Sequence, residues 1–174
     1  PVVNGFDENA IEAALKIKDD QGGTITILSV GSGFVMDVMK KPLAMGADSL
    51  VLAEDDAFGD LDSFATAHVL AEAIRKIGRF DMVICGRQAS DWDNAQVPLG
   101  VSEMLGLPCL TMAQKVEAVD GGVVVQRVLA DGYEVVGADL PALVTVSNEL
   151  GGPRYATLRG IMAAGRKTPT VWSA

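Results

Sequence analysis

The stretch FDMVICGRQASDWDNAQVPLGVSEMLGLP, Phe80–Pro108, decides how the chain is read. Asp81–Cys85 is a short, mostly apolar run that stops at Gly86, the pattern of a buried strand. Asp93 or Asn94 is placed to cap a helix that runs to about Leu105, where Gly106 and Pro108 end it. Between strand and helix lies Gly86–Trp92, long for such a connection and polar, with Arg87, Gln88, Ser90, Asp91, Asp93 and Asn94 packed together. In an open α/β sheet ligands settle at loops of this kind, because free backbone N–H groups and the helix dipole favour an anion. An ordinary βα connection reads the same way. Two acidic groups beside a phosphate would repel it, so Asp91 and Asp93 are expected to cap backbone or meet a ribose.

Upstream, strand and helix alternate. Ala10, Ile11, Ala14, Leu15 and Ile17 recur at helical spacing behind Asp7, a plausible N-cap, and Gln21-Gly22-Gly23 ends that helix. Thr24–Val30 (TITILSV) is β-branched and unbroken, which suits a central parallel strand. Gly31-Ser32-Gly33 follows at once. It is either a tight βα turn or a second place where backbone approaches a ligand. A helical pattern then runs to about Met45, with a kink or late restart expected at Pro42. Asp48–Ala53 is another strand, Glu54–Asp60 an acidic turn, and Leu61–Ile77 the clearest amphipathic helix, capped by Asp62 or Ser63. This alternation predicts an α/β fold: a doubly wound parallel sheet with helices on both faces.

After Pro108 the texture changes. Cys109–Ala113, Lys115–Val119, Val123–Leu129 and Tyr133–Ala138 are short strand-like runs, separated by the turn signals Asp120-Gly121-Gly122 and Asp131-Gly132. Pro141–Val146 is a last buried strand. An antiparallel hairpin, over residues 113–138, is thus appended to the core. Ser147–Ala174 is rich in Gly and Pro with little regular pattern. Its apolar Tyr155, Leu158, Ile161 and Met162 either fold back on the core or project to anchor a partner.

The 174 residues suit one domain spanning 1–174. Net charge is −9 and no basic run is longer than a pair such as Arg166-Lys167, which argues against a nucleic-acid partner. Cys85 and Cys109 form no CxxC pair and His68 stands alone, so no metal site is expected and the thiols read as free and buried. His68 has no nucleophile or carboxylate at triad spacing and reads as a structural or surface histidine. No apolar run approaches the ~20 residues of a membrane span, and PVVNGFDENA is no signal peptide. The chain starts without Met, so the true N-terminus is expected to lie further upstream.

Four stretches together resemble one family, the β subunit of electron transfer flavoproteins, including FixA-like members. They are NGFDENAIEAALKIK (Asn4–Lys18), PLAMGAD (Pro42–Asp48), GRQASDWDNAQV (Gly86–Val97) with LGLP (Leu105–Pro108), and GGPRYATLRGIM (Gly151–Met162). The pattern GxQAxDxDxxQ followed by PRYxxLxxIM is specific. The resemblance implies an adenine-nucleotide-hydrolase-like fold without hydrolase activity, paired with an α subunit that holds most of the FAD surface. Electrons would pass from a flavoprotein dehydrogenase, such as an acyl-CoA dehydrogenase, to that FAD and on to an acceptor. The compartment implied is the cytoplasm of a bacterium or the mitochondrial matrix of a eukaryote, without membrane insertion.

Carried over residue by residue, the resemblance sets Asn4, Val30 and the Gly31 turn on the adenosine side of an AMP. Ala89, Asp91, Asp93, Gln96 and Val97 surround that nucleotide, which a second FAD replaces in electron-bifurcating members that also use NAD. It makes residues 148–165 a partner-recognition segment, in which Arg154, Tyr155, Leu158, Ile161 and Met162 meet the dehydrogenase and Leu158 is the anchor. Departures are visible. Trp92 stands where Gly or Asp is common, Ala95 where AMP-binding members often have Asn, and Val128 where some carry a tethering acid. A KIxVxxK opening strand and a C-terminal arm embracing the α subunit have no counterpart in these residues. Two other uses of this fold fit less well. A universal-stress-type regulator would show a late Gly-rich phosphate loop and no PRYxxLxxIM, and an ATP-using ligase would need an SGGxDS-type loop.

Overall fold

The computed structural model describes residues 1–174. In chain order the elements are α1 (Gly5–Gln21), β1 (Thr26–Gly31), α2 (Met36–Met39), α3 (Lys41–Met45), β2 (Ser49–Glu54), α4 (Ser63–Ile77), β3 (Met82–Gly86), α5 (Val97–Leu105), β4 (Cys109–Val119), β5 (Gly122–Leu129), β6 (Gly132–Asp139), β7 (Ala142–Val146), α6 (Leu158–Gly165) and β8 (Thr170–Trp172). Single 3₁₀ turns occupy Asp56–Phe58 and Asn148–Leu150.

The architecture is α/β, with hydrogen bonding divided between two sheets. One is parallel, in the order β1-β2-β8; the other is mixed, in the order β3-β7-β4-β5-β6. β7 runs parallel to both β3 and β4, while β4, β5 and β6 form the antiparallel excursion. β7 is buried along its whole length. With a side-chain period of two, its Ala142, Val144 and Val146 join Ala10 and Ala13 of α1, whereas Leu143 points to Ala67 and Ile74 of α4 and Val101 of α5.

Helices α1 and α4 also join the two sheets. Ile11 and Leu15 of α1 reach Ile25 and Ile27, and Ala67 and Ile74 of α4 reach both Leu28 in β1 and Val83 in β3. β1 is therefore not central in its sheet, contrary to its sequence pattern. It pairs only with β2, and helices rather than a second strand cover its apolar side chains. Cys109–Ala113 and Lys115–Val119 form one strand instead of two. Pairing shifts register around Met112–Gln114, where Met112 has φ +60°. Pro42 does restart the helix, sitting in the first turn of α3. Asp62 caps α4 as expected, its Oδ1 accepting from the Ala65 N–H at 2.7 Å. The closing segment is more regular than its composition suggests: it contains α6 and β8. No helix is long and apolar enough to cross a membrane.

Candidate functional site

The loop after β3 is held from outside by the start of α1. Asn4 precedes that helix, and its Nδ2 donates to the Gln88 carbonyl at 2.8 Å while its Oδ1 accepts from the Ser90 N–H at 3.2 Å. Asp7 is not the N-cap. It lies inside the first turn, and its carboxylate accepts from the Gly86 N–H at 2.7 Å. The approach is close enough that a Cβ on Gly86 would lie 2.7 Å from the Phe6 backbone carbon. Glycine is required here by contact, not by backbone angle. Asn4, Asp7 and the loop from Gly86 to Ser90 are thus one unit.

Further along, Asp93 and Ala95 adopt φ of +57° and +54°. The left-handed region costs a residue with a Cβ roughly 1–2 kcal/mol. Asp93 accepts from the Gln88 side-chain amide, so one of the two acids is engaged inside the loop, but with a side chain and not as a backbone cap. Asp91 and Trp92 lie on the surface. Neither Asp93 nor Asn94 caps α5. That helix starts only at Val97, behind Gln96, because Pro98 fixes its first turn. Asn94 instead donates to the Ser63 hydroxyl at 2.8 Å, tying the loop to the start of α4 at the carboxyl edge of β2. Val30 and Gly31 end β1 near that edge. A Cβ on Gly31 would meet the Phe34 ring at 3.2 Å, and the Phe34 N–H donates to Glu54 at 3.0 Å. Gln96 makes no side-chain hydrogen bond to Val30 or Gly31; its backbone N–H donates to Asn94 Oδ1 within the loop, at 3.5 Å.

Arg87, at the root of the loop, stacks over the Phe6 ring at 4.7 Å. Its Nε is buried without a hydrogen-bond partner, and its Nη1 reaches only the Met112 sulfur, at 3.9 Å. Glu149 is held below the usual carboxylate range, first by the Ser147 hydroxyl and its own backbone, and also by the Arg87 charge. The Asn4 amide is fully used on the Asp7 carboxylate and the Gln88 carbonyl, so the spare donors at the root of the loop are those of the Arg87 guanidinium, a group suited to an anion. Burial, with the Asp7 carboxylate and Cys109 adding, pushes the Cys85 thiol well above its ordinary value, which disfavours the thiolate.

The second region is Gly151–Lys167. Thr157 caps α6, its hydroxyl accepting from the Gly160 N–H at 3.0 Å. Apolar side chains project outward here: Tyr155, ahead of the cap, is 96% exposed, and on the helix Leu158 is 75% exposed and Ile161 and Met162 more than half. Arg154 is turned the other way. Its Nε and Nη2 meet the Glu12 carboxylate at 2.9 and 3.1 Å, and Nη2 also meets Asp19 at 2.8 Å. Those bonds raise the guanidinium above its already high value. Sequence reading did not single out Glu12, Asp7 or Arg87 as functional. A glutamate on the inner side of an amphipathic helix was the available signal for Glu12.

A cavity of about 360 Å³ lies between α3 and α6, and one of about 570 Å³ beside Trp172 and α4; neither is lined by Gly86–Val97. No group of His, Cys, Asp and Glu is arranged to hold a metal ion.

The family model of the electron transfer flavoprotein domain matches residues 2–174. The chain is 42% identical over 174 residues to the electron transfer flavoprotein subunit beta of Clostridium acetobutylicum, covering 99% of this chain and 66% of that one. It is 40% identical over 173 residues to the caffeyl-CoA reductase–Etf complex subunit CarD of Acetobacterium woodii, covering 99% and 66%. It is also 40% identical over 164 residues to the acryloyl-CoA reductase electron transfer subunit gamma of Anaerotignum propionicum, covering 92% and 61%. The chain spans under two thirds of the length of these relatives.

Proposed function

The chain belongs to the electron transfer flavoprotein family, with beta subunits among its relatives, and from that premise we propose that it is the β half of such a carrier. It pairs with an α subunit that holds FAD, takes electrons from a flavoprotein dehydrogenase acting on acyl-CoA, and performs no bond-making chemistry of its own. In this reading the FAD supplies the redox chemistry, and the chain supplies docking, positioning and an ordered nucleotide site. A cytoplasmic place in a bacterium, or the mitochondrial matrix, follows from the same role.

The observation that carries this reading is the outward apolar face of α6. Leu158, Ile161 and Met162 of α6, with Tyr155 just before it, are exposed apolar side chains on a segment whose helix is otherwise fastened to the body of the protein. Such a patch is a docking surface or a liability, and one leucine entering a partner pocket is worth ~1.5–3 kcal/mol. That suits a complex that must form and part.

The loop Gly86–Val97, with Asn4 and the Gly31 turn beside it, would hold the adenosine part of an AMP. Arg87, Gln96 and the first turn of α5 would face its phosphate. A second reading rests on Ala95. In a left-handed conformation and bearing only a methyl, it offers no side-chain donor where AMP-binding members often have Asn. That favours a second FAD in the same place, and with it bifurcation and an NAD partner. The deciding experiment is to denature the full-length heterodimer and identify the released nucleotides by mass. One FAD and one AMP support the first reading, two FAD the second. A single FAD and nothing else would remove nucleotide binding from this chain.

A further inference from the structure

We infer that Glu12 is a positioning residue for partner docking: through Arg154 it holds residues Gly151–Thr157 in the shape that presents Leu158. The inference rests on the docking role proposed above and deepens it by naming the residue on which that surface depends.

Glu12 lies on the inner side of α1, only 5% exposed. Its carboxylate accepts three bonds from Arg154: from the backbone N–H at 3.0 Å, from Nε at 2.9 Å and from Nη2 at 3.1 Å. This is a planar, two-point pairing with a third bond to the main chain, which fixes orientation as well as distance. The two residues are 142 apart in sequence. Burial alone would raise the Glu12 carboxyl, but the hydrogen bonds and charge of Arg154, helped by Lys16, outweigh it and hold the group ionised and low.

Around this pair the segment has almost nothing else to hold it. Residues 152–156 form no helix or strand, and the bonds of Arg154 are the only hydrogen bonds they make. Ala156 packs against Ile11, Leu15 and Met45 and supplies a modest apolar contact. Beyond Thr157 the situation reverses. A Cβ on Gly160 would lie 2.2 Å from the Ala44 carbonyl oxygen, so α6 rests directly on α3. Lys167 donates to the Ala47 and Asp48 carbonyls at 2.8 Å each, and Lys40 donates to the Gly165 carbonyl at 3.3 Å. The rear of α6 is therefore fixed by many contacts and its approach mainly by one side chain, Arg154, which pairs with the buried Glu12 and, at its exposed edge, with Asp19.

A buried ion pair is poor evidence for stability, since an apolar replacement of similar size is often as stable. Its use here is geometric. Ordering a docking segment in advance removes that entropy cost from the encounter with the partner. The pair does this work on the side of the segment that carries Tyr155 and leads into Leu158.

The test uses the full heterodimer with a reduced acyl-CoA dehydrogenase as donor, comparing Glu12→Gln, Arg154→Lys and Leu158→Ala. Glu12→Gln should raise KM for the dehydrogenase about tenfold, a 1.4 kcal/mol change, with kcat altered less than about twofold. Exchange of the Arg154 amide, the one backbone N–H in residues 152–156 that is hydrogen-bonded, should accelerate while residues 86–97 keep their protection. Arg154→Lys retains charge but loses the fork, so it should fall between wild type and Glu12→Gln, and it carries the test if Glu12→Gln does not fold. Unchanged KM and unchanged exchange of the Arg154 amide overturn the inference. So does faster exchange throughout α1 with kcat and KM both damaged, which marks a general structural role. Leu158→Ala separates the two levels. If it leaves KM unchanged, the docking reading itself fails; if it raises KM and the other variants do not, only the role of Glu12 fails.

Discussion

The loop Gly86–Val97 and the segment Gly151–Lys167 are both irregular stretches fastened to α1, yet they are fastened in opposite ways. The loop is held through its backbone. Asn4 and Asp7 take the main-chain groups of Gly86, Gln88 and Ser90, and the helix presses on Gly86 so closely that no side chain fits there. The segment is held through one side chain, Arg154, and a helix seated from behind, while its apolar residues are left facing out. The first arrangement makes a rigid cradle of polar groups, suited to a small ligand that stays. The second makes a rigid support under an apolar face, suited to a protein that comes and goes. In the proposed function, backbone fixation would serve retention and side-chain fixation encounter.

The contrast can be broken most forcefully at the exposed face. Leu158→Ala should lower kcat/KM for the dehydrogenase about 10- to 100-fold, the kinetic equivalent of one buried leucine. It should leave thermal stability unchanged, because the side chain touches no core; a fall in Tm would mean the leucine is structural. Gly86→Ala tests the cradle. The new methyl meets the Phe6 backbone, so a loss of roughly 1–3 kcal/mol in urea unfolding is expected, together with lost nucleotide in the released-mass assay. Wild-type stability in that variant would show that α1 is free to shift.

A smaller effect is expected in acid. Glu12 has a depressed folded-state pKa, so its contribution is full above the ordinary glutamate value of 4.5 and drains away as pH falls through the lower folded value. Glu12→Gln should flatten the acid side of the stability curve below about pH 4.5 without removing it, because Asp48 is also held low: hydrogen bonds and charge from Lys18 and the Ile25 N–H outweigh its burial. An identical slope in the variant would deny the pair any titrating role. Smallest of all, Ala95→Gly relieves a left-handed residue and should gain roughly 1 kcal/mol. A loss instead would mean that the methyl is packed.

Much of the frame is legible in the sequence because its signals are local. The helical spacing in Ala10–Ile17, the Asp62 cap, Asp120-Gly121 and Asp131-Gly132 each act within a few residues. The Gly86–Val97 loop is found for the same reason, as a polar gap between a strand and a helix. What escapes is whatever depends on distant partners. Leu158, Ile161 and Met162 have the i, i+3, i+4 spacing of a helix, but Pro153, Gly160, Gly165 and Pro169 mask it and no core pulls those side chains in. Gly160 reads as a helix breaker until α3 is seen against it. β8 is only three residues long and exists because β2 offers an edge. Asp7 resembles a cap in sequence, yet its carboxylate serves a strand 79 residues away.

Helix α1 carries Asp7 for the Gly86–Val97 loop and Glu12 for the Gly151–Thr157 segment, five positions apart. At about 100° and 1.5 Å per residue, the two carboxylates are set roughly 140° around and 7.5 Å along one rigid rod. Substitutions on the outer side of that rod are free to drift. Inserting or deleting one residue between positions 7 and 12 is not, since it would swing one carboxylate about 100° away from its target while the other stayed in place. Variation in this helix should therefore run to changes of letter and almost never to changes of length, with the interval between the two acids acting as a fixed ruler from one working surface to the other.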